Sequence, residues 1–95
     1  MFIWDEAKRK KVLAEHKIDF DQIYDIFTDQ FSLEFEDFQH STESEIRYGI
    51  IGKTAKYGLI ILIYTVANEE DIRFITARKA EKWMIKKYEE QRKRF

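Results

Sequence analysis

Apolar residues Phe20, Ile23, Tyr24 and Phe27 fall at i, i+3, i+4 and i+7, which predicts a short helix with one buried stripe, capped by Asp19 and ending near Thr28. The period then changes. Phe31, Leu33 and Phe35 alternate with Ser32, Glu34 and Glu36, as on a strand with one wet face. Residues 37–44 read as an exposed loop. Residues 45–53 predict a second strand, with Ile46, Tyr48 and Ile50 on one face and Arg47, Gly49, Ile51 and Lys53 on the other. After a turn at 54–58, residues 59–66 are apolar on both faces, as in a central strand covered twice. A turn at 68–71 leads to a fourth strand at 72–77.

Two helical segments flank this run. Phe2, Ile3 and Trp4 read as a short strand or an anchor, and Asp5 as the N-cap of a highly charged helix ending near His16. A last helix at 78–92 places Ala80, Trp83, Met84, Tyr88 and Phe95 on one side, with Trp83 read as core. The fold class is therefore α+β: two N-terminal helices, a four-stranded antiparallel sheet and a C-terminal helix, in a single domain over residues 1–95. If helices cover one face of the central strand, its other face requires a helix, a partner chain or a ligand groove.

The 95 residues suffice for one core, and with no proline and only three glycines there is no linker to divide them. The net charge of -1 conceals an uneven distribution: residues 19–45 carry nine acids and no Lys or Arg, whereas residues 72–95 carry nine cations against three acids. Such a chain can bind a polyanion at one end without being basic overall. The absence of cysteine excludes disulfides, thiolate metal sites and thiol nucleophiles. The longest apolar run, ten residues at 58–67, is about half of a membrane span, and the N-terminus lacks secretory order, so a cytoplasmic protein with no membrane role is expected.

There is no glycine-rich phosphate loop, GxSxG turn or HExxH helix, and no metal or cofactor is expected. Arg47, Lys53, Arg73, Arg78 and Lys79 stand on or just after strands, and Lys82 lies on the basic side of the last helix. Strand-borne guanidinium groups offer a planar fork to phosphate and can stabilise charge on a scissile phosphate. The plainer alternative is that Arg73 and Arg78 pair with acids of residues 19–45. His16 is the first candidate for proton transfer at neutral pH, since an imidazole titrates near pH 6.5, and packing or capping is its alternative role. His40, in the acidic loop, ranks behind it. The Tyr88 hydroxyl could reach a groove.

Together these segments resemble the BrnT family of toxins from type II toxin-antitoxin systems. Phe2-Ile3-Trp4-Asp5-Glu6 with Lys8, His16, and Phe27-Thr28-Asp29 resemble its opening WDExK, KHG and VFxD pattern. Arg47-Tyr48 leading to Ile51-Gly52, then Tyr64-Thr65, residues 72–80 and Tyr88-Glu89 resemble its R(F/Y)xxIG, VVYT, IRIISARKA and YE blocks. The resemblance implies a RelE-like ribonuclease, neutralised by a neighbouring BrnA-like antitoxin with a ribbon-helix-helix region, so that DNA is met only through the antitoxin. It puts Arg73 and Arg78 first for phosphate contact and transition-state stabilisation, with His16 and Tyr88 beside them as catalytic groups. Arg47, Lys53, Lys79 and Lys82 are then RNA-binding. In this chain Ile18 follows Lys17 without the family's glycine after the histidine, Gln30 stands where a proline is frequent, Thr76 replaces a serine, and Met84 stands in place of an acid, with Glu81 one turn earlier.

The leading expectation is a metal-independent endoribonuclease that cleaves RNA and inhibits growth. The alternative, motivated by Met84, is a non-catalytic domain that binds the antitoxin and has lost nuclease activity. A third reading, a DNA binder acting alone, is weakened by Trp83 and Met84, which the pattern turns toward the sheet.

Overall fold

The structure, a computed structural model, describes residues 1–94; Phe95, expected on the apolar side of the last helix, lies outside the described residues. Five strands form one mixed sheet in the order β1-β5-β4-β3-β2: β1 (Phe2–Ile3), β2 (Leu33–Glu36), β3 (Arg47–Thr54), β4 (Gly58–Ala67) and β5 (Asp71–Lys79). The four expected strands pair antiparallel, but β1 adds a fifth, parallel to β5 through Phe2 opposite Ile72 and Ile3 opposite Arg73. It is also an anchor, because the Phe2 ring stacks on Tyr24 at 4.9 Å and on Phe27 at 5.2 Å.

Among the described residues there are two α-helices, α1 (Glu6–His16) and α2 (Lys82–Lys93). The expected second helix is instead a pair of 3-10 segments, Phe20–Gln22 and Tyr24–Thr28. The reason lies in the spacing of the buried residues. Phe20, Ile23 and Ile26, all fully buried, recur every three residues, the period of a 3-10 helix. Aspartates then tie the segments to the β3–β4 hairpin: Asp25 accepts the Ala55 N–H at 2.7 Å, and Asp29 the Lys53 N–H at 2.8 Å.

Each sheet face has its own core. On the first face, Ile50, Ile60, Leu62 and Phe74 pack with Phe20, Ile23, Ile26 and Val12 of α1. On the second, Ile51 and Ile61 pack with Met84 and Tyr88 of α2. The twice-covered strand expected at 59–66 is β4, and α2 covers only part of its second face. Gly52 faces the first core, where an added Cβ would lie 2.8 Å from Ile26 Cγ1. Gly52→Ala is expected to cost about 1–3 kcal/mol by overpacking, read as a lower denaturant midpoint at unchanged m.

Asp5 caps α1 by accepting the Ala7 N–H at 2.7 Å. The helix ends at Lys17, whose φ of 60° and ψ of 30° are left-handed. Glycine takes that conformation without the Cβ clash. Lys17→Gly is therefore expected to stabilise the fold by up to about 1 kcal/mol, raising Tm by roughly 4–8 °C. The Lys17 Nζ contact with Ala14 O, at 2.8 Å, is what this substitution gives up.

Candidate active site

The part of the second face that α2 leaves uncovered is a groove of about 510 Å3. Its floor is Ile61 and Ile63 of β4 with Thr76 and Arg78 of β5. Arg78 pairs with Ile61 and Thr76 with Ile63, while Tyr64 pairs with Phe74, so Ile75 is an extra residue bulged out of β5. That bulge puts Arg73 and Arg78, five positions apart, on the same face. Strict alternation would separate them.

Arg78 is held from α2. Its Nη1 donates to Glu81 Oε1 at 2.7 Å, while the Trp83 indole N–H donates to Glu81 Oε2 at 2.8 Å. These two hydrogen bonds, Trp83 first, hold the Glu81 carboxyl below its ordinary range. Trp83, expected in the core, is 54% exposed on the groove rim. Positions 84 and 88, one turn apart, take the buried stripe and turn Trp83 outward. Met84 contributes to the groove lining and its Sδ accepts the Glu81 N–H at 3.5 Å. The carboxylate that orients Arg78 thus comes from Glu81.

Farther along the same face, Arg47, Thr65 and Arg73 form one cross-strand row. Both arginines bind Glu45, from Arg47 Nε at 3.1 Å and Arg73 Nη2 at 2.8 Å. The Arg47 hydrogen bond, with the charges of Arg47, Arg73 and Lys8, outweighs desolvation and lowers the Glu45 pKa. This row lies four residues along β4 from Ile61, or about 13 Å from the row of Arg78. Arg73 does pair with an acid of residues 19–45, as the plainer alternative had it, whereas Arg78 pairs with Glu81. All these pairs are solvent-accessible and can be exchanged for a phosphate at little cost.

Two imidazoles line the groove. His16 arrives from the end of α1, beside β5, and His40 from the loop after β2, on the opposite side of the sheet. His40 Nδ1 lies 2.8 Å from an Asp37 carboxylate oxygen. The loop is pinned by Ser41, whose hydroxyl donates to Asp37 O at 2.6 Å and accepts the Arg47 N–H at 2.8 Å. Sequence reading placed His40 behind His16. The available signal was Asp37 three residues before His40, a spacing that lets a turn close a carboxylate on an imidazole.

The remaining candidates are not brought into this group. Tyr88 is 3% exposed, and its hydroxyl donates to Asp29 at 2.8 Å; burial and that carboxylate push the phenol up to about 12. Lys53 shares with Tyr88 a separate cleft between α2 and the second 3-10 segment. Lys79 follows Ala77 onto the first face, where Nζ donates to Tyr57 O at 3.3 Å. Lys82 is exposed on the first turn of α2. Among the described residues no group of three His, Cys, Asp or Glu could hold a metal ion, and no helix is long and apolar enough to cross a membrane.

The open sheet face thus sets one guanidinium, Arg78, in a groove with two imidazoles, and two more, Arg47 and Arg73, farther along it. The chain belongs to the BrnT family of ribonuclease toxins of type II toxin-antitoxin systems, whose model matches residues 4–83. It is also similar to the crystal structure of the Brucella abortus ribonuclease toxin BrnT, with a TM-score of 0.67 and 27% identity over 86% of this chain and 99% of that one. A comparison with curated proteins gave no match.

Proposed function

We propose that this chain is the toxin of a type II pair and an endoribonuclease that cleaves RNA, and thereby inhibits translation, through a reaction using its own side chains. Arg78 lines the groove, with Arg47 and Arg73 about 13 Å along the face to hold the flanking backbone. The observation that carries this reading is Arg78 on an open face, oriented by a carboxylate that a phosphate can displace. The antitoxin, proposed to be BrnA-like with a ribbon-helix-helix region, would bring the pair to DNA.

The test is purified chain, free of partner, with single-stranded RNA in chelator, alone and on ribosomes. Fragments ending in a cyclic phosphate and a 5'-hydroxyl support the reading. Undiminished RNA together with tight antitoxin binding supports the interaction domain suggested by Met84. Glu81 favours the enzyme, because it supplies Arg78 with the carboxylate that Met84 lacks.

A further inference from the structure

We infer that His40 and His16 form a general base and general acid pair that divides the proton transfers of RNA cleavage across the groove. The inference rests on the ribonuclease reading of the same groove and names the groups that move its protons. Three observations carry it. Both imidazoles line the groove that holds Arg78 and Thr76. They approach from opposite sides, His16 from α1 along β5 and His40 from the loop beyond β2, with β3 and β4 between those strands. Finally, the two are not equivalent.

A carboxylate has no hydrogen to give, so the 2.8 Å contact with Asp37 is a bond donated by His40 Nδ1. The lone pair of the neutral ring is then on Nε2, as a base requires. Ser41 fixes the loop in both directions, and Asp37 itself is largely buried at 13% side-chain exposure. His16 has no such partner on Nδ1 among the hydrogen bonds described; its Nε2 lies 3.9 Å from Glu15 at the carboxyl end of α1. The charged groups around the pair are Glu15 on α1, Asp37 on the loop, Arg78 on β5 and Glu81 at the N-cap of α2.

With an RNA phosphate against Arg78, His40 Nε2 takes the proton of the adjacent 2'-hydroxyl. The 2'-oxygen bonds to phosphorus, the bond from phosphorus to the 5'-oxygen breaks, and protonated His16 gives its proton to that leaving oxygen. One proton is received and one given. The products are a 2',3'-cyclic phosphate and a 5'-hydroxyl, and exchange with water restores both rings. The guanidinium of Arg78 meets the charge of the phosphorane.

His40 is exposed, His16 is half-buried and neither belongs to a core cluster, so their removal should leave the fold intact. The experiment is the pH dependence of RNA cleavage by wild type, His40→Ala, His16→Ala and Arg78→Ala, each checked by thermal unfolding. A base must be neutral and an acid protonated, so wild type should give a bell-shaped profile. His40→Ala should lose the acidic limb and His16→Ala the alkaline one, each with a loss of about 10²–10⁴-fold. A substrate with sulfur in place of the 5'-oxygen needs no acid, and should restore His16→Ala while leaving His40→Ala slow. Wild-type rates and profiles in both histidine variants, with Arg78→Ala inactive, overturn the pair and leave the groove assignment standing. Cleavage undiminished in Arg78→Ala, or none by the wild-type chain, overturns both.

Discussion

Arg78→Ala is expected to abolish growth arrest on expression and to lower RNA cleavage by about 10²–10³-fold, the loss that follows when one aimed donor to a developing oxyanion is removed. The fold should be unaffected. Arg78 is 40% exposed, its partner Glu81 52%, and neither belongs to a core cluster, so the unfolding midpoint should match that of wild type. Arg78→Lys keeps the charge but not the two-pronged donor geometry, and should fall between the two. Growth assays and purified cleavage rates check the series together. Full toxicity in a folded Arg78→Ala chain would remove the arginine from the reaction.

The largest effect on stability is expected at Asp29. Its carboxylate accepts three hydrogen bonds, from the N–H of Phe31 at 2.9 Å, the N–H of Lys53 at 2.8 Å and the hydroxyl of Tyr88 at 2.8 Å. It thus joins the 3-10 segment, β3 and α2 at one point. Asp29→Ala strands three donors and should cost about 3 kcal/mol, lowering Tm by roughly 12–24 °C. Tyr88→Phe removes only one of these bonds, and should cost about 1 kcal/mol without moving the pH profile of cleavage. Burial raises the Asp29 pKa, but its three donors outweigh burial and the pKa ends below its ordinary value. Asp19, bound by Arg9 at 2.8 and 3.1 Å, is lowered as well. A carboxyl depressed in the folded state contributes its full stability above the unfolded pKa of about 4, and loses it as pH falls through the lower folded value. Wild type should therefore lose stability below about pH 4, and Asp29→Ala should show a shallower loss, measured as denaturant midpoint against pH.

Where a side chain's environment repeats with the chain, the sequence is readable. The alternation along β3 separates Tyr48 and Ile50 of the first core from Ile51 of the second, as the pattern predicts. The caps at Asp5 and Asp19 are likewise local and legible. What escapes is set by partners distant in sequence. Phe20, Ile23, Tyr24 and Phe27 fit an α-helical stripe, yet the sheet selects Ile26 and tightens the segment to three residues per turn. Phe2–Ile3 reads as a short strand or an anchor, but its parallel pairing with β5 depends on an edge 70 residues away in the chain. Trp83 fits the core stripe on paper, but Glu81 holds its indole outside. At the groove, the arginines are conspicuous by type, whereas their common face depends on a bulge that no alternation rule supplies.

That bulge lets β5 absorb one residue more than β4 opposes to it while its neighbours keep their facing. Deleting Ile75 alone would remove no groove-lining side chain and would close the bulge, leaving Phe74 opposite Tyr64 and Thr76 opposite Ile63 as adjacent residues of a regular strand. Arg73 and Arg78 would then stand four positions apart, which ordinary alternation puts on one face, with Ala77 still turned toward Val12 and Leu62. Both cationic rows would remain on the groove side, so deletion of this single aliphatic residue should leave RNA cleavage far less affected than loss of a guanidinium.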